Sequence, residues 1–198
     1  MPSYDTVLNF ENRLANFFGS NFAVATDCCT HAIELCLRYK NFNKISCPKQ
    51  TYLSIPMTLE KLNLNWHWED LQWKDYYRLG NTNILDAANH WEENGYIKDT
   101  FMCLSFQFKK PLSLGRGGAI LLDNKDDYIA LKKMTHDGRD PFSNDTWKEH
   151  EVETIGYHYY MIPEIAEQGL TKMNDVKKSK SWTNNDYPTL TTFKVFER

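Results

Sequence analysis

Two adjacent lysines, Lys109 and Lys110, follow an apolar run where lysine is unexpected. The surrounding stretch reads LSFQFKKPLSLGRGG, with apolar side chains before the pair and glycines after it. A strand that has simply ended would leave both ammonium groups in solvent, which is the ordinary state of lysine. A lysine beside a second cation also loses its proton more easily, and a neutral amine is a nucleophile for carbonyl groups. The pair therefore has two interpretations, a solvated surface pair or a reactive amine.

The segments around the lysines alternate between helix and strand. Phe10, Leu14 and Phe17 share one face of a predicted helix, and Gly19 marks its end. Strands are predicted over residues 21–26, 44–48, 64–68, 83–88, 100–106 and 118–124. Helices are predicted over residues 6–20, 30–40, 53–63, 125–138 and 163–180. This alternation predicts an α/β fold, with a mostly parallel sheet flanked by helices.

Such a sheet indicates where a ligand binds. In open α/β sheets the site lies outside the carboxyl ends of the strands, so the residues that follow each strand matter most. Those residues are 27–30, 49–52, 86–89 and 105–110. The lysine pair belongs to the last of these four groups.

Composition excludes several other classes of protein. The 198 residues carry a net charge of -3 and have a pI near 6.1, so no basic surface for nucleic acid is expected. We find no apolar run long enough to cross a bilayer and no signal peptide, and we expect a cytoplasmic protein. The five cysteines lack metal or disulfide spacing, so we expect reduced thiols and no metal site.

Six stretches in order resemble one known family. SFQFKKPLSLGRGG is similar to the lysine segment of the DegT-like sugar aminotransferases, which reads S-F-x-x-x-K-x-L-[ST]-x-G-E-G-G. FENRLANFFGSNFAVAT, CTHAIELCL with CPKQTYLS, ILDAANHW and GYHYYMIPEIAEQGL also resemble family segments. The resemblance runs from about Phe10 to Met173. It implies the large domain of a fold-type I transferase, with three layers, and pyridoxal 5'-phosphate as the cofactor.

The resemblance also implies residue roles around the cofactor ring. Lys110 matches the lysine that forms the Schiff base, with Lys109 as a cation that lowers its pKa. Asp86 matches the carboxylate that keeps the pyridine nitrogen protonated, although an aspartate here could simply cap a helix. Asn89 matches the residue near the ring hydroxyl, or it satisfies local backbone groups. Tyr52 matches the aromatic side chain on the cofactor face.

A second set of implied roles concerns the cofactor phosphate. Thr30 opens a helix whose free N–H groups form an anion site, and Ser105 adds a hydroxyl. Cys29 replaces a family glycine, so a positive φ at this position would be strained. His158 replaces the asparagine that reaches the phosphate of the neighbouring subunit. Arg116 replaces a glutamate, and is either a substrate-binding group or a surface side chain.

The resemblance has two gaps. The chain between Pro48 and Asp86 is shorter than the family's, and most of the small C-terminal domain is not found. We expect one large domain over residues 1–180, followed by a polar tail over 181–198.

Two functions remain open at this point. One is an aminotransferase that acts on a nucleotide-linked keto-sugar as a homodimer, with glutamate as amino donor. The other is a non-catalytic relative that binds cofactor or nucleotide-sugar, or completes a site with another subunit.

Overall fold

The computed structural model describes residues 3–42, 44–143, 146, 148–149, 151–176 and 180–197. The helices are α1 (Tyr4–Phe18), α2 (Cys29–Lys40), α3 (Ser54–Lys61), α4 (Lys125–Thr135) and α5 (Pro163–Lys172). The strands are β1 (Phe22–Thr26), β2 (Ile45–Pro48), β3 (Trp66–Glu69), β4 (Tyr77–Arg78), β5 (Ile84–Asp86), β6 (Phe101–Ser105) and β7 (Gly118–Leu122). No helix in these ranges is long and apolar enough to cross a membrane.

The strands form a mixed sheet. Five strands pair in the order β1-β7-β6-β5-β4, and β2 pairs with β3 in a second, two-stranded sheet. The pairs β5–β6 and β2–β3 are parallel, whereas β1–β7, β6–β7 and β4–β5 are antiparallel. The sequence predicted a larger parallel share. The difference arises because no helix separates β6 from β7, so the chain returns in the opposite direction.

Helices cover both faces of the larger sheet, which confirms the predicted three-layer fold. Along β7, Ile120 and Leu122 pack with residues of α2, α3 and α4, whereas Ala119 and Leu121 pack with residues of α1 and α5. Successive side chains of a strand point to opposite faces, so a strand covered on both sides must be apolar throughout. All five residues of β7 are buried.

The ends of the helices follow local signals with one exception. Gly19 adopts a φ of 78° after α1, as its position in the sequence predicted. Pro56 lies in the first turn of α3, where its missing N–H costs nothing. Helix α5 ends at Lys172 rather than near residue 180, and a short 3-10 turn, Met173–Asp175, follows it. Residues 177–179 of the predicted helix lie outside the described residues.

A buried ion pair joins two helices across β1. Lys132 of α4 donates to both carboxylate oxygens of Glu11 in α1, at 2.8 and 3.0 Å. The N–H of Ala25 in β1 also donates to Glu11, at 2.6 Å. The two charged side chains are 0% and 3% exposed. Burial raises the pKa of Glu11, and the Lys132 ammonium opposes that shift.

The C-terminal segment, residues 180–197, is folded against the rest of the chain. We predicted a weakly structured tail here, but Asn184, Leu190 and Phe196 are buried. The N–H of Leu190 donates to the carbonyl of Lys49 at 2.8 Å, and Phe196 packs edge-on against Trp68. Scattered aromatic and apolar side chains anchor this segment without any helical or strand period, which explains why the prediction failed.

Candidate active site

A cavity of about 570 Å³ lies at the carboxyl edge of β1, β5 and β6. Each of the four groups of residues that follow predicted strands contributes to its wall. The site residues that line it are Cys29, Thr30, Tyr52, Asp86, Asn89, Ser105 and Lys110. The antiparallel strand β7 begins at this same edge, because Gly118 pairs with Thr26 and with Ser105.

The two lysines have different environments. Lys109 is exposed, with its Nζ 5.5 Å from the Phe108 ring centroid. Lys110 is partly buried, and its Nζ donates to Asn89 Oδ1 at 2.7 Å. Burial lowers the pKa of Lys110, and Lys109 lowers it further, whereas Asp86 and Cys29 raise it. Lys110 is therefore the amine that the fold places inside the cavity, and burial contributes more to its shifted pKa than the neighbouring lysine does.

Asp86 ends β5 as a buried carboxyl group. Its Oδ2 accepts from the hydroxyl of Tyr77 at 2.7 Å, and its Oδ1 accepts from the N–H of Ala88 at 3.1 Å. Burial raises the pKa of Asp86, although both hydrogen bonds and the nearby Lys110 act in the opposite direction. A cation placed beside this carboxyl group would favour its ionised form further.

The amide of Asn89 connects the lysine to the C-terminal segment. Its Oδ1 accepts from Lys110, and its Nδ2 donates to the Tyr187 hydroxyl at 3.0 Å. The Asn89 side chain is buried, so both ends of the amide need partners. The ring of Trp182 also lies near the lysine, with the ammonium 5.7 Å from the ring centroid.

The turn before α2 forms the opposite wall. Helix α2 begins at Cys29, so its first N–H groups lie at the cavity. Cys29 is absent from the described residues with positive φ, and the strain considered for this position does not arise. The Thr30 hydroxyl forms a 2.8 Å hydrogen bond with that of Ser54. Gly118, the third glycine of the GRGG motif, is required by close packing, because a Cβ there would lie 2.5 Å from the Cys29 nitrogen.

An ion-pair cluster lies beside this turn. Asp27 pairs through Oδ1 with His31 Nδ1 at 2.6 Å and through Oδ2 with Arg116 Nη2 at 2.7 Å. Burial lowers the pKa of His31, but the hydrogen bonds and charges of Asp27 and Cys28 together outweigh this effect and raise the pKa to about 9. Arg116 is therefore held at the cavity by a carboxylate of its own chain. The imidazolium of His31 stacks on the Tyr159 ring, with 3.7 Å between ring centroids.

Within the described part of the chain, this cluster also contains a group of side chains with the spacing of metal ligands. Ligand atoms of Asp27, Cys28 and His31 lie within 4.8 Å of one another. Both oxygens of Asp27 are, however, bonded to cations, the protonated His31 and Arg116. The two carboxylate oxygens that a metal ion would need as ligands are therefore already paired with cationic side chains.

Tyr52 and His158 are two exposed residues among those predicted. Tyr52 lies at the rim of the cavity and is 61% exposed. His158 lies outside the cavity lining, and its Nδ1 contacts Asp137 Oδ2 at 2.9 Å. A role towards a neighbouring subunit is a separate prediction for His158.

Sequence reasoning missed four aromatic residues of the wall, Trp73, Tyr77, Trp182 and Tyr187. Two of them belong to the segment between β3 and β4 and to β4 itself, a strand too short to recognise. The other two belong to the C-terminal segment, which has no periodic pattern. The clustering of large aromatics in an otherwise polar stretch was the available signal.

Solved structures share this fold. AtS13 from Actinomadura melliaura superposes with a TM-score of 0.77 at 17% identity, over 88% of this chain and 61% of its own. Spr1654 from Streptococcus pneumoniae, described as a sugar aminotransferase and solved in its PMP form, gives 0.73 at 16% identity, over 89% and 60%. A 3-amino-5-hydroxybenzoic acid synthase gives 0.70 at 18% identity, over 86% and 56%. The chain thus spans about three fifths of their length, and its fold is that of fold-type I aminotransferases.

The sequence of the chain identifies its family more directly. The model of the DegT/DnrJ/EryC1/StrS aminotransferase family matches residues 1–65 and 88–192, and the chain belongs to that family. No curated protein sequence matches the chain. The unmatched residues, 66–87, lie where the chain was predicted to be shorter than the family. They include Asp86, so the role given to that residue depends on its position at the end of β5.

The residues of the cavity fit pyridoxal 5'-phosphate, the cofactor of this family. The fit rests on an amine with a lowered pKa at Lys110, a buried carboxyl group at Asp86 and a helix N-terminus with hydroxyl groups at Thr30 and Ser105. These groups suit an aldehyde, a protonated ring nitrogen and a phosphate respectively.

Proposed function

We propose that this chain is a pyridoxal-phosphate-dependent aminotransferase acting on a nucleotide-linked keto-sugar, with glutamate as amino donor. The observation that carries the proposal is the position of Lys110, whose Nζ lies inside the cavity and within reach of a buried polar group. Family membership supports the reaction class. The sugar aminotransferase Spr1654, solved in PLP and PMP forms, supports the choice of substrate class.

When bound, pyridoxal phosphate supplies an aldehyde that takes up an amino group and a ring that accepts electrons released at the substrate Cα. Lys110 provides the amine that holds the cofactor and, once released as a neutral amine, a base that moves the Cα proton at its Nζ. Burial lowers the pKa of Lys110, which favours the neutral form of this amine. Asp86 holds a proton on the ring nitrogen as an ionised carboxylate.

The other wall residues bind and orient. The N-terminal N–H groups of α2, with the hydroxyls of Thr30 and Ser105, hold the phosphate, and Cys29 contributes its backbone. Asn89 lies beside Lys110 and is placed to bond the ring hydroxyl. Tyr52 covers one face of the ring from the rim of the cavity.

We also propose a homodimer whose sites lie at the subunit interface, with His158 near the partner's phosphate site. Exposed apolar side chains at the rim and near His158 support an interface, among them Tyr52, Phe108 and Ile155, which are 61%, 62% and 79% exposed. Sedimentation of the protein with cofactor is expected to give a dimer. A monomer at micromolar concentration would contradict this arrangement.

The decisive experiment for the proposed function compares the two lysines. The protein is incubated with pyridoxal phosphate, reduced with borohydride and digested for mass spectrometry. We expect the pyridoxyl group on Lys110, no visible cofactor band in Lys110→Ala, and a normal adduct in the matched control Lys109→Ala. Addition of glutamate to the loaded protein is then expected to convert the cofactor to its amine form. A pyridoxyl adduct on Lys109, or no adduct, would refute the proposed aminotransferase. An adduct on Lys110 without conversion of the cofactor by glutamate would support the alternative, a non-catalytic relative.

A further inference from the structure

The amide of Asn89 has two chemically different ends, and each end has one partner. An ammonium group can only donate, so the amide end that faces Lys110 must be the oxygen. The nitrogen end then faces away from the lysine and requires an acceptor, which the hydroxyl oxygen of Tyr187 provides at 3.0 Å. Without that acceptor, the amide nitrogen has no partner that favours this orientation of the side chain.

Tyr187 is itself held firmly by the turn that precedes it. Thr183 and Asp186 form a capping box, in which the Thr183 N–H donates to Asp186 Oδ2 at 2.9 Å. The N–H of Tyr187 donates to the carbonyl of Asn184 at 3.1 Å. The ring lies 5.4 Å from that of Trp73, centroid to centroid. The backbone hydrogen bonds and the packing of the ring thus fix the position of the Tyr187 hydroxyl.

The turn is attached to the segment between β3 and β4. Asp75 accepts from the N–H of Trp182 at 2.9 Å and from the Ser181 hydroxyl at 2.7 Å. The N–H of Asn184 donates to the carbonyl of Trp73 at 3.2 Å. These anchors belong to residues 66–87, which the family model does not match. Tyr187 itself lies in the matched range, but the segment that anchors its turn does not.

We propose that Tyr187 is a positioning residue, which acts through Asn89 to fix the place of Lys110 Nζ in the cavity. The inference deepens the proposed function, since it concerns the same amine. The hydroxyl of Tyr187 orients the amide, and the amide oxygen holds the ammonium. Without the hydroxyl, the amide turns and Lys110 loses its acceptor.

Other charged groups also act on Lys110 and stay in place in the test. Asp86 at the end of β5 and the Cys29 thiol in α2 favour its ammonium form, and Lys109 beside it disfavours that form. Replacing Tyr187 by phenylalanine leaves all three untouched. A change in Lys110 can therefore be assigned to the amide.

The test measures the amine without any cofactor. The protein is treated with trace acetic anhydride over a series of pH values, and mass spectrometry gives the acetylation rate of Lys110 relative to Lys109. In Tyr187→Phe the ammonium form loses an acceptor, so the rate at pH 8 is expected to rise about tenfold, the change for one pKa unit. Tyr96→Phe is the matched control, because its hydroxyl bonds Thr100 and Asp123 and does not line the cavity.

A double-mutant cycle separates positioning from general loosening. Asn89→Ala is expected to raise the rate as Tyr187→Phe does, and the double variant is expected to equal Asn89→Ala alone. Circular dichroism checks that each variant is folded. Unchanged acetylation in Tyr187→Phe, or effects that multiply in the double variant, would overturn the inference. Such a result would overturn the role of Tyr187 but would not affect the proposed function. A missing pyridoxyl adduct in the unaltered protein would refute the proposed function but would not affect the role of Tyr187.

Discussion

Gly118→Ala tests how closely the turn before α2, which we propose binds the cofactor phosphate, is packed on the sheet. A Cβ at this position would lie 2.5 Å from both the Cys28 carbonyl carbon and the Cys29 nitrogen, about 0.9 Å closer than ordinary contact at 3.4 Å. Both atoms are backbone, so they cannot swing aside as a side chain would. Gly118 is also paired with Thr26 and with Ser105, so the strand cannot retreat without moving two neighbours. The turn must therefore move.

Two effects follow from that movement. Overpacking of this kind costs about 1–3 kcal/mol in the free energy of unfolding. A shift of about 0.9 Å lengthens an N–H to oxygen hydrogen bond from about 2.9 Å to beyond its useful range. Loss of one hydrogen bond to a charged phosphate then weakens binding about tenfold or more. We expect Gly118→Ala to bind pyridoxal phosphate at least about tenfold more weakly, with little change for pyridoxal, which lacks the phosphate.

Gly115→Ala provides the control in the same loop. Gly115 has a φ of +85°, but its two chain neighbours aside, no atom of the described residues lies within 4 Å of the place where its Cβ would be. Alanine there is strained by about 1–2 kcal/mol and leaves the turn where it is. We expect lower stability with unchanged phosphate binding. Pyridoxal phosphate titrations in which Gly118→Ala matches the unaltered protein would show that the reasoning is wrong.

Three further predictions concern buried and paired charges. Asp86→Asn is expected to keep the fold and slow the reaction with glutamate by about two orders of magnitude, measured by stopped-flow absorbance, and normal conversion would refute its role. Lys132→Met leaves the buried Glu11 with the Ala25 N–H but without a compensating charge. It is expected to cost about 3–5 kcal/mol in chemical denaturation, with most of the loss recovered when Glu11→Gln is added. His31→Gln should destabilise the protein most below about pH 6.5, and the difference should disappear as pH rises through about 9, because the imidazolium pairs with Asp27 only while protonated. Denaturation curves at pH 6 and pH 10 that shift equally would contradict this.

The sequence was most informative where chemistry restricts residue types. Lys110 and Ser105 were recognisable because they belong to the motif SFQFKKPLSLGRGG at the end of a predicted strand, and that strand, β6, brings both residues to the cavity. Gly19 and Pro56 each fixed a helix end through their backbone alone. In these cases a local signal and the overall fold agree.

Prediction failed where the structure depends on contacts distant in sequence. Tyr187 contacts Asn89 across 98 residues of sequence, and no sequence pattern near either residue predicts the contact. The direction of β7 depends on how the loop from residue 106 to 117 closes, through a hydrogen bond from Leu114 N–H to the carbonyl of Phe106. Neither a loop path nor a pairing between distant segments leaves a periodic signal, so patterns alone could not reveal them.

The cavity has a thermodynamic consequence because its wall extends along most of the chain. It begins with Cys28, near the start, and ends with Tyr187, in the C-terminal segment. A ligand that needs both ends of this wall binds the folded chain and has no site on the unfolded one. By mass action, ligand at 100 times its dissociation constant would add about 2.7 kcal/mol to stability. Resistance of the C-terminal segment to proteases would then report how much of the site is occupied.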